Sequence, residues 1–476
     1  MNDFTSGLVQ PTERLERLEE LAFRLLETTG IEAPEEELLE EMAAAGFEVD
    51  RSESRIRFPR KLSEGFLDTA PRSIVLGSRD PVDDLVLDPD AFFVRPQSGC
   101  PNVLDPRTGA FRPALLRDVE QMAVLNDALP NIHLAASLLY PSDVPARSRD
   151  LATLAALFGH TRKHVYIQPY DPISMERMVK MAECLRGSAD EVRTRPPLTA
   201  IMGLTSPLVF APNEIGIMRL SARHGIPLMS GSTPMNGATG PVTLAGEIVL
   251  QHAENLAGAV IAQVMRSGAP VSYGIRPSTM DIRTGASVWG SVEWGMMTGI
   301  LLQLTAGRGL ISDTVGLSTD AKTSDVQSGA EKGMSSVFSA LFGANVMAGA
   351  GFLDTIMTGS FEQLVVDDDL AGAMTRVRRG IAFGEDDLAI DLIEKIGPGG
   401  NFLTEPHTVE HMRDQVFIPG VFNREIRHRW EQSGSPGCAE AARAKARELI
   451  GSHAVPPLPH RVSAELARLA SLDEPA

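Results

Sequence analysis

The stretch GMSSVFSALFGANVMAGAGFL, residues 333–353, carries no charge over 21 positions. Its length matches the roughly 20 apolar residues that a membrane-spanning helix needs. Its internal pattern points elsewhere. It contains Gly333, Gly343, Gly349 and Gly351, and near Gly343 the spacing changes from helical to a continuous strand-like run. A buried helix followed by a buried strand is the repeating unit of a parallel α/β fold. The same rhythm runs upstream. Short apolar runs start near Phe93, Ile132, Val165, Leu198, Pro227, Val271, Leu310 and Asn345, spaced 29 to 44 residues apart. Helical patterns fill the gaps: Leu115–Leu129, Arg149–Phe158, Ser174–Leu185, Asn213–His224, Leu244–Met265, Val288–Ala306, Asp325–Phe342 and Phe361–Arg379. Eight such units predict a (β/α)8 TIM barrel, with an open doubly wound sheet as the alternative, because periodicity does not prove closure.

On either side the pattern differs. Thr12 to Leu26 places Leu15, Leu18, Ala22, Leu25 and Leu26 on one helical face, ending at Gly30. Pro34 opens a second helix that stops at Gly46, and Phe47/Val49 with Ile56/Phe58 predict a hairpin. Beyond Gly384, helical stretches near Asp387–Ile396 and Cys438–Leu449 flank Gly-Pro-Gly-Gly at 397–400. The expected organisation is an N-terminal helical and hairpin cap (1–90), a catalytic barrel (91–385) and a C-terminal helical extension (386–476).

Of 476 residues, 44 are Lys or Arg and 62 Asp or Glu, a formal charge of −18. Such a surface repels phosphate backbones and anionic lipid, so neither a nucleic-acid nor a membrane partner is expected. The three cysteines, Cys100, Cys184 and Cys438, are far apart and form no CxxC pair. They read as reduced thiols in a cytoplasmic protein. The first apolar stretch, Leu21–Leu26, is interrupted by Arg24, unlike a signal peptide.

Barrel chemistry sits where strands end. The chain has four tyrosines, Tyr140, Tyr166, Tyr170 and Tyr273, and all fall in or just after a predicted strand. They are candidates for an aromatic box around a cation, although tyrosine favours strands in any case. Trp289 and Trp294 follow Tyr273, and Phe352 follows the eighth strand. Gln168, Arg276, Asp320 and Lys322 are the polar candidates at the same rim. Arg276 is read equally as a clamp for a substrate carboxylate or as a partner of a rim acid. Lys322 has the form of a Schiff-base lysine, but Asp320 beside it favours a solvated or ion-paired ammonium. Gly349 and Gly351 are expected to let a flat ligand approach the backbone. Two histidine pairs have metal-ligand spacing, His160/His164 and His407/His411. The second lies outside the barrel with no evident third ligand, so both read as structural and no metal is expected. No phosphate-binding loop is present.

The chain contains, in order, PMNGATGPVTLAG (234–246), AENLAG (253–258), GAPVSYG (268–274), DIRTG (281–285), TDAK (319–322), GAN (343–345), SFEQLV (360–365) and IGPGGNFL (396–403). With these stretches it resembles the trimethylamine methyltransferase (MttB) superfamily over about residues 5 to 450. The resemblance implies a TIM barrel that demethylates an amine and passes the methyl group to the cobalt of a separate corrinoid protein. On that reading the chain carries no cofactor of its own. Asp320, Lys322, Gly349 and Gly351 would then face the corrinoid (cobalamin), and a homo-oligomer is compatible. Family members often have tyrosine where this chain has Ala330, histidine at Ala348 and glycine at Phe352. The founding trimethylamine enzymes carry pyrrolysine, whereas this sequence has standard residues only, so it is more similar to the glycine betaine branch. The expected substrate is therefore a quaternary amine, glycine betaine first. A folate-dependent methyltransferase, a barrel lyase using Lys322 and a non-catalytic binding protein are the competing readings.

Overall fold

The computed structural model describes residues 8–471. Its centre is one sheet of eight parallel strands: β1 (Phe93–Pro96), β2 (Ala135–Ala136), β3 (Val165–Ile167), β4 (Leu198–Leu204), β5 (Leu228–Ser232), β6 (Val271–Ile275), β7 (Ser312–Val315) and β8 (Val346–Ala350). Neighbours in this series pair in parallel, and β8 pairs back onto β1 at Val346 and Phe93. The remaining seam is bridged by the backbone N–H groups of His133 and Leu134, which donate to Val94 O at 2.9 and 3.1 Å. The sheet is thus the barrel that the spacing predicts, and not an open sheet. Each expected strand start lies within three residues of an observed one.

Eight helices alternate with the strands: α1 (Leu116–Ala128), α2 (Arg149–His160), α3 (Pro172–Arg186), α4 (Pro212–His224), α5 (Leu244–Met265), α6 (Val292–Gly307), α7 (Val326–Leu341) and α8 (Phe361–Arg379). Their starts are set locally. Asp171, Ser291, Asp325 and Ser360 each accept a backbone N–H of the first turn, and Pro172 and Pro212 occupy the first turns of α3 and α4. The uncharged stretch 333–353 now has a physical account. Phe338 of α7 and Phe342, just past its end, press on Gly295 and Gly299 of α6, where a Cβ would come within 2.3 and 2.8 Å of the rings. β8 behind them is buried along its whole length. No helix among the described residues is long and apolar enough to cross a membrane.

The N-terminal segment does not stand apart. Its first helix (Thr12–Thr28) lies on α5, and Phe23 and Leu26 share one apolar cluster with Leu256 and Val260. The expected hairpin forms, with Val49 opposite Ile56. A second hairpin, Ile74–Leu76 with Leu85–Leu87, carries Ile74, Leu76 and Leu87 into the interior cluster of Leu134, Tyr166, Ile201, Met229 and Val346. It plugs the end of the barrel opposite the mouth. Helix Cys438–Ser452 packs on α8 and α1, and helix His460–Ala470 on α2 and α3. Between residues 375 and 441 no residue is buried.

Candidate active site at the barrel mouth

Beyond the ends of β3 and β4 lies a cleft of about 400 Å³, lined in part by Gln168, Tyr170, Ile201, Gly203 and Glu214. Gln168 comes directly after β3 and is exposed. Tyr170 is 37% exposed, and its backbone N–H donates to Asp150 Oδ2 at 3.0 Å. Asp150 is itself fully buried at the start of α2, so it fixes this turn from below. The Tyr140 ring meets Tyr170 edge-on, with centroids 5.8 Å apart and planes at 72°. Burial raises both phenol pKa values, so both rings stay neutral. A Cβ on Gly203 would meet nothing within 4 Å, which keeps that wall open. Glu214 Oε2 is buried there without a hydrogen-bond partner. One tyrosine ring, backed by a second, with an amide and a carboxylate around a small space, suits a compact organic cation.

Beneath the mouth the interior holds a knot of charge. Arg95 from β1 grips Asp313 of β7 with two bonds of 3.0 Å, and Arg276 after β6 adds a third at 2.7 Å. All three are buried, and the Arg95 guanidinium lies 4.7 Å from the centre of the Tyr166 ring. Two cations against one anion leave an excess positive charge on dry ground. Gly274 makes room for this, since a Cβ there would stand 2.7 Å from Arg276 Nη1. Arg276 thus pairs with an acid, Asp313, which lies in the interior and not on the rim. Tyr166 is part of that core and has no surface left for a ligand.

Several expected site residues lie elsewhere. Tyr273 points out of the barrel toward α5, where its hydroxyl contacts His252 Nδ1 at 2.7 Å. Strand alternation explains this, because Arg276 faces the interior and a residue three positions away faces the opposite side. Gly349 and Gly351 make room for protein and not for a ligand: a Cβ would lie 2.7 Å from Leu317 O in one case and 2.7 Å from Leu138 Cδ2 in the other. Their φ values, +110° and +83°, favour glycine as well. Phe352 is fully buried, with the Lys332 ammonium 4.6 Å from its ring centre and Trp289 edge-on at 6.1 Å. Ala348 is buried in the same cluster, whereas Ala330 is exposed on α7. Asp320 is occupied by the N–H groups of Trp289 and Gly290 and by the Thr355 hydroxyl, at 2.7 to 2.9 Å. Lys322 is 69% exposed and pairs with Asp354 at 3.0 Å, the ion-paired alternative and not a buried Schiff-base lysine. His160 bonds Ala156 O while His164 bonds Pro196 O and Thr199, so that pair shares no ligand position.

Other buried polar groups, beyond the candidate site residues named from the sequence, brace the strand ends. Arg95 and Asp313 are lone charges inside apolar strand runs, which is a readable signal of a buried pair. Lys332 of α7, fully buried, donates to Leu317 O, Gly349 O and Asp367 Oδ2 at 2.8 to 3.0 Å, tying the ends of β7 and β8 to α8. Asn255 accepts Ser232 N–H and donates to Gly274 O, bracing β5 and β6, and Glu254 receives Ser206 and the Leu208 N–H. Glu247 opens α5 beneath the loop 234–243. Burial first, then the charge of Glu254, raise its pKa to about 8, and its Oε2 has no partner.

A barrel with a small polar and aromatic cleft at the C-terminal ends of its strands has the architecture of a small-molecule enzyme. The family model described as trimethylamine methyltransferase (MTTB) matches residues 3–471, and the chain belongs to that family. A trimethylamine methyltransferase of Desulfitobacterium hafniense (strain DSM 10664 / DCB-2) is 30% identical, covering 95% of this chain and 91% of its own. A glycine betaine methyltransferase of Desulfitobacterium hafniense (strain Y51) is also 30% identical, over 95% and 94%. The crystal structure of a Methanosarcina barkeri monomethylamine methyltransferase superposes with a TM-score of 0.51 at 13% identity, covering 92% of this chain and 88% of that one. That likeness concerns the fold.

Proposed function

We propose that the chain removes a methyl group from a small quaternary amine, glycine betaine or a close relative, and delivers it to the corrinoid of a partner protein. The observation that carries this reading is the Tyr140–Tyr170 pair at the mouth of a barrel of this family. The Tyr170 ring, with Tyr140 packed against it, and the neighbouring Glu214 hold the fixed positive charge. The excess positive charge of the Arg95–Asp313–Arg276 knot attracts a betaine carboxylate toward the interior. The cleft has room for such an amine but not for a corrin macrocycle, so the corrinoid stays above the rim on its own protein. When docked it supplies a nucleophilic cobalt as methyl acceptor. The protein's share is positioning and exclusion of water. As the N–CH3 bond breaks, its electron pair stays on nitrogen, which leaves as a neutral tertiary amine. No proton has to move, and among the described residues no histidine lines the cleft.

Three further residues belong to this reading: Gln168 as a substrate contact, with Asp320, Lys322 and the loop they brace as the rim that meets the corrinoid protein. The reading extends to a cytoplasmic protein, consistent with three free cysteines. A homo-oligomer is supported by exposed apolar side chains such as Ile381, Phe383, Leu403 and Ile418. The experiment mixes protein, Co(I) cobalamin and each candidate amine and follows loss of the Co(I) absorbance. Glycine betaine or another betaine should react. Turnover of trimethylamine with none of any betaine would overturn the substrate, and reaction with tetrahydrofolate as sole acceptor would overturn the corrinoid.

A further inference from the structure

The H-x-x-E-H stretch at 407–411 was left without a third ligand by the sequence, and the fold supplies one. Helix Pro406–Gln415 places His407 and His411 one turn apart, with ring centroids 4.3 Å from each other. Asp386, in the short helix Glu385–Leu388, comes up against both. His411 Nε2 lies 3.0 Å from Asp386 Oδ2, and His407 Nε2 lies 3.0 Å from Asp386 O. One ligand atom from each of the three residues falls within 4.8 Å of the others. Nitrogen and oxygen ligands around zinc sit at about 2.0–2.2 Å, so a tetrahedral site needs donor atoms roughly 3.3 Å apart. Small side-chain rotations of a half-exposed pair and an exposed carboxylate reach that spacing. An adjoining cleft of about 800 Å³, also lined by Glu385 and Glu405, leaves one side of the group open.

We propose that Asp386, His407 and His411 bind one divalent transition-metal ion of the zinc type, which clamps the C-terminal extension. Two imidazoles and a carboxylate form a nitrogen and oxygen donor set that suits zinc and disfavours calcium or magnesium, which prefer oxygen alone. The surroundings give the clamp its purpose. No residue from 375 to 441 is buried, so this segment has no core of its own. Around the group it is held by exposed contacts such as Lys395 with Glu405 at 2.9 Å, and exposed pairs of this kind contribute little. Small units without sufficient core commonly depend on a metal, a disulfide or an assembly for stability. A metal here would close the loop from residue 386 to residue 407 and fix the Gly397–Gly400 turn within it. The site lies outside the barrel and takes no part in methyl transfer.

The test uses the full, untagged chain, stripped with a chelator and titrated with Zn2+ or Co2+. We expect one ion per chain, with the intense visible bands of tetrahedral cobalt in the Co2+ form. Amide exchange over residues 385–415 should slow about tenfold on binding and be unchanged in the barrel. In the double variant His407→Ala/His411→Ala affinity should fall more than about 100-fold, beyond the loss caused by removing an outer-shell partner. Asp386→Asn should weaken binding less and keep the visible bands altered. All three positions are on the surface, so the melting of the barrel serves as a folding control. Undetectable binding at micromolar ion, octahedral cobalt, or equal affinity in the double variant would each overturn the site.

Discussion

Tyr170 and Tyr273 look alike in the sequence, each beside the end of a strand, and the structure gives them different tasks. Tyr170 lines the cleft, while Tyr273 faces α5 and bonds His252. Tyr170→Ala or Tyr140→Ala should weaken betaine affinity by about 0.5–2 kcal/mol of lost cation–π energy, read as a higher KM. Tyr273→Phe should leave KM unchanged and lower stability by about 1 kcal/mol, the usual worth of one hydrogen bond. A KM effect at 273 with none at 170 would reverse these assignments. Glu247 offers a pH test. Its pKa is raised by burial to about 8, so the folded chain retains a proton that the unfolded chain has released above the ordinary glutamate range. The stabilisation from this group is therefore full at low pH and is lost as pH rises through about 8. Glu247→Gln cannot ionise. Its melting temperature should exceed that of the parent by more at pH 8.5 than at pH 6, the difference corresponding to about 1–3 kcal/mol. Parallel melting curves would mean the carboxyl is ionised in the fold.

At the scale of elements, the ends of β7 and β8 are held from behind by side chains on helices. Lys332 reaches from α7 to two strand-end carbonyls and to Asp367 of α8, and Gly351 N–H reaches the same carboxylate at 2.7 Å. Removing one partner of a buried ion pair leaves the other charge without compensation. Lys332→Met should cost about 3–5 kcal/mol in urea unfolding, and adding Asp367→Leu should recover part of it. A loss in the double variant equal to the sum of the two single losses would show that the pair is not coupled. Asp320 does similar work from the loop after β7, binding the loops after β6 and β8. These elements explain why many family-like stretches are made of small and polar residues. Within AENLAG, Glu254 holds the loop after β4, Asn255 bridges two strands, and Gly258 lets α5 close on β5, where a Cβ would sit 2.7 Å from Ser230 Oγ.

For the whole molecule, the proposed docking of a corrinoid protein would meet a chain of −18 formal charge with Lys322 exposed in the loop after β7. Lys322→Glu should slow transfer to protein-bound corrinoid several-fold more than transfer to free cobalamin, and added salt should narrow the gap. Equal slowing with both acceptors would place Lys322 in the substrate cleft instead. The sequence by itself determined the series of eight strand–helix units, whereas closure into a barrel was decided by the tertiary structure. Strands buried on both faces must be continuously apolar and their helices must be amphipathic or small-faced, and both patterns are local in the chain. It also determined Gln168 and Tyr170 as mouth residues, because they follow directly on a strand end. Only the tertiary structure decided which way a side chain turns and what stands opposite it. Tyr273 and Arg276 are separated by a pleat that no composition reveals, and the partner of Arg276 lies 37 residues away on another strand. The glycines at 349 and 351 looked like a ligand's doorstep, yet Leu317 and Leu138 fill the space. Asp386 meets His407 and His411 from 21 and 25 positions away along the chain. Such meetings depend on the closure of the barrel and the docking of its helices, which join positions that the linear sequence keeps apart.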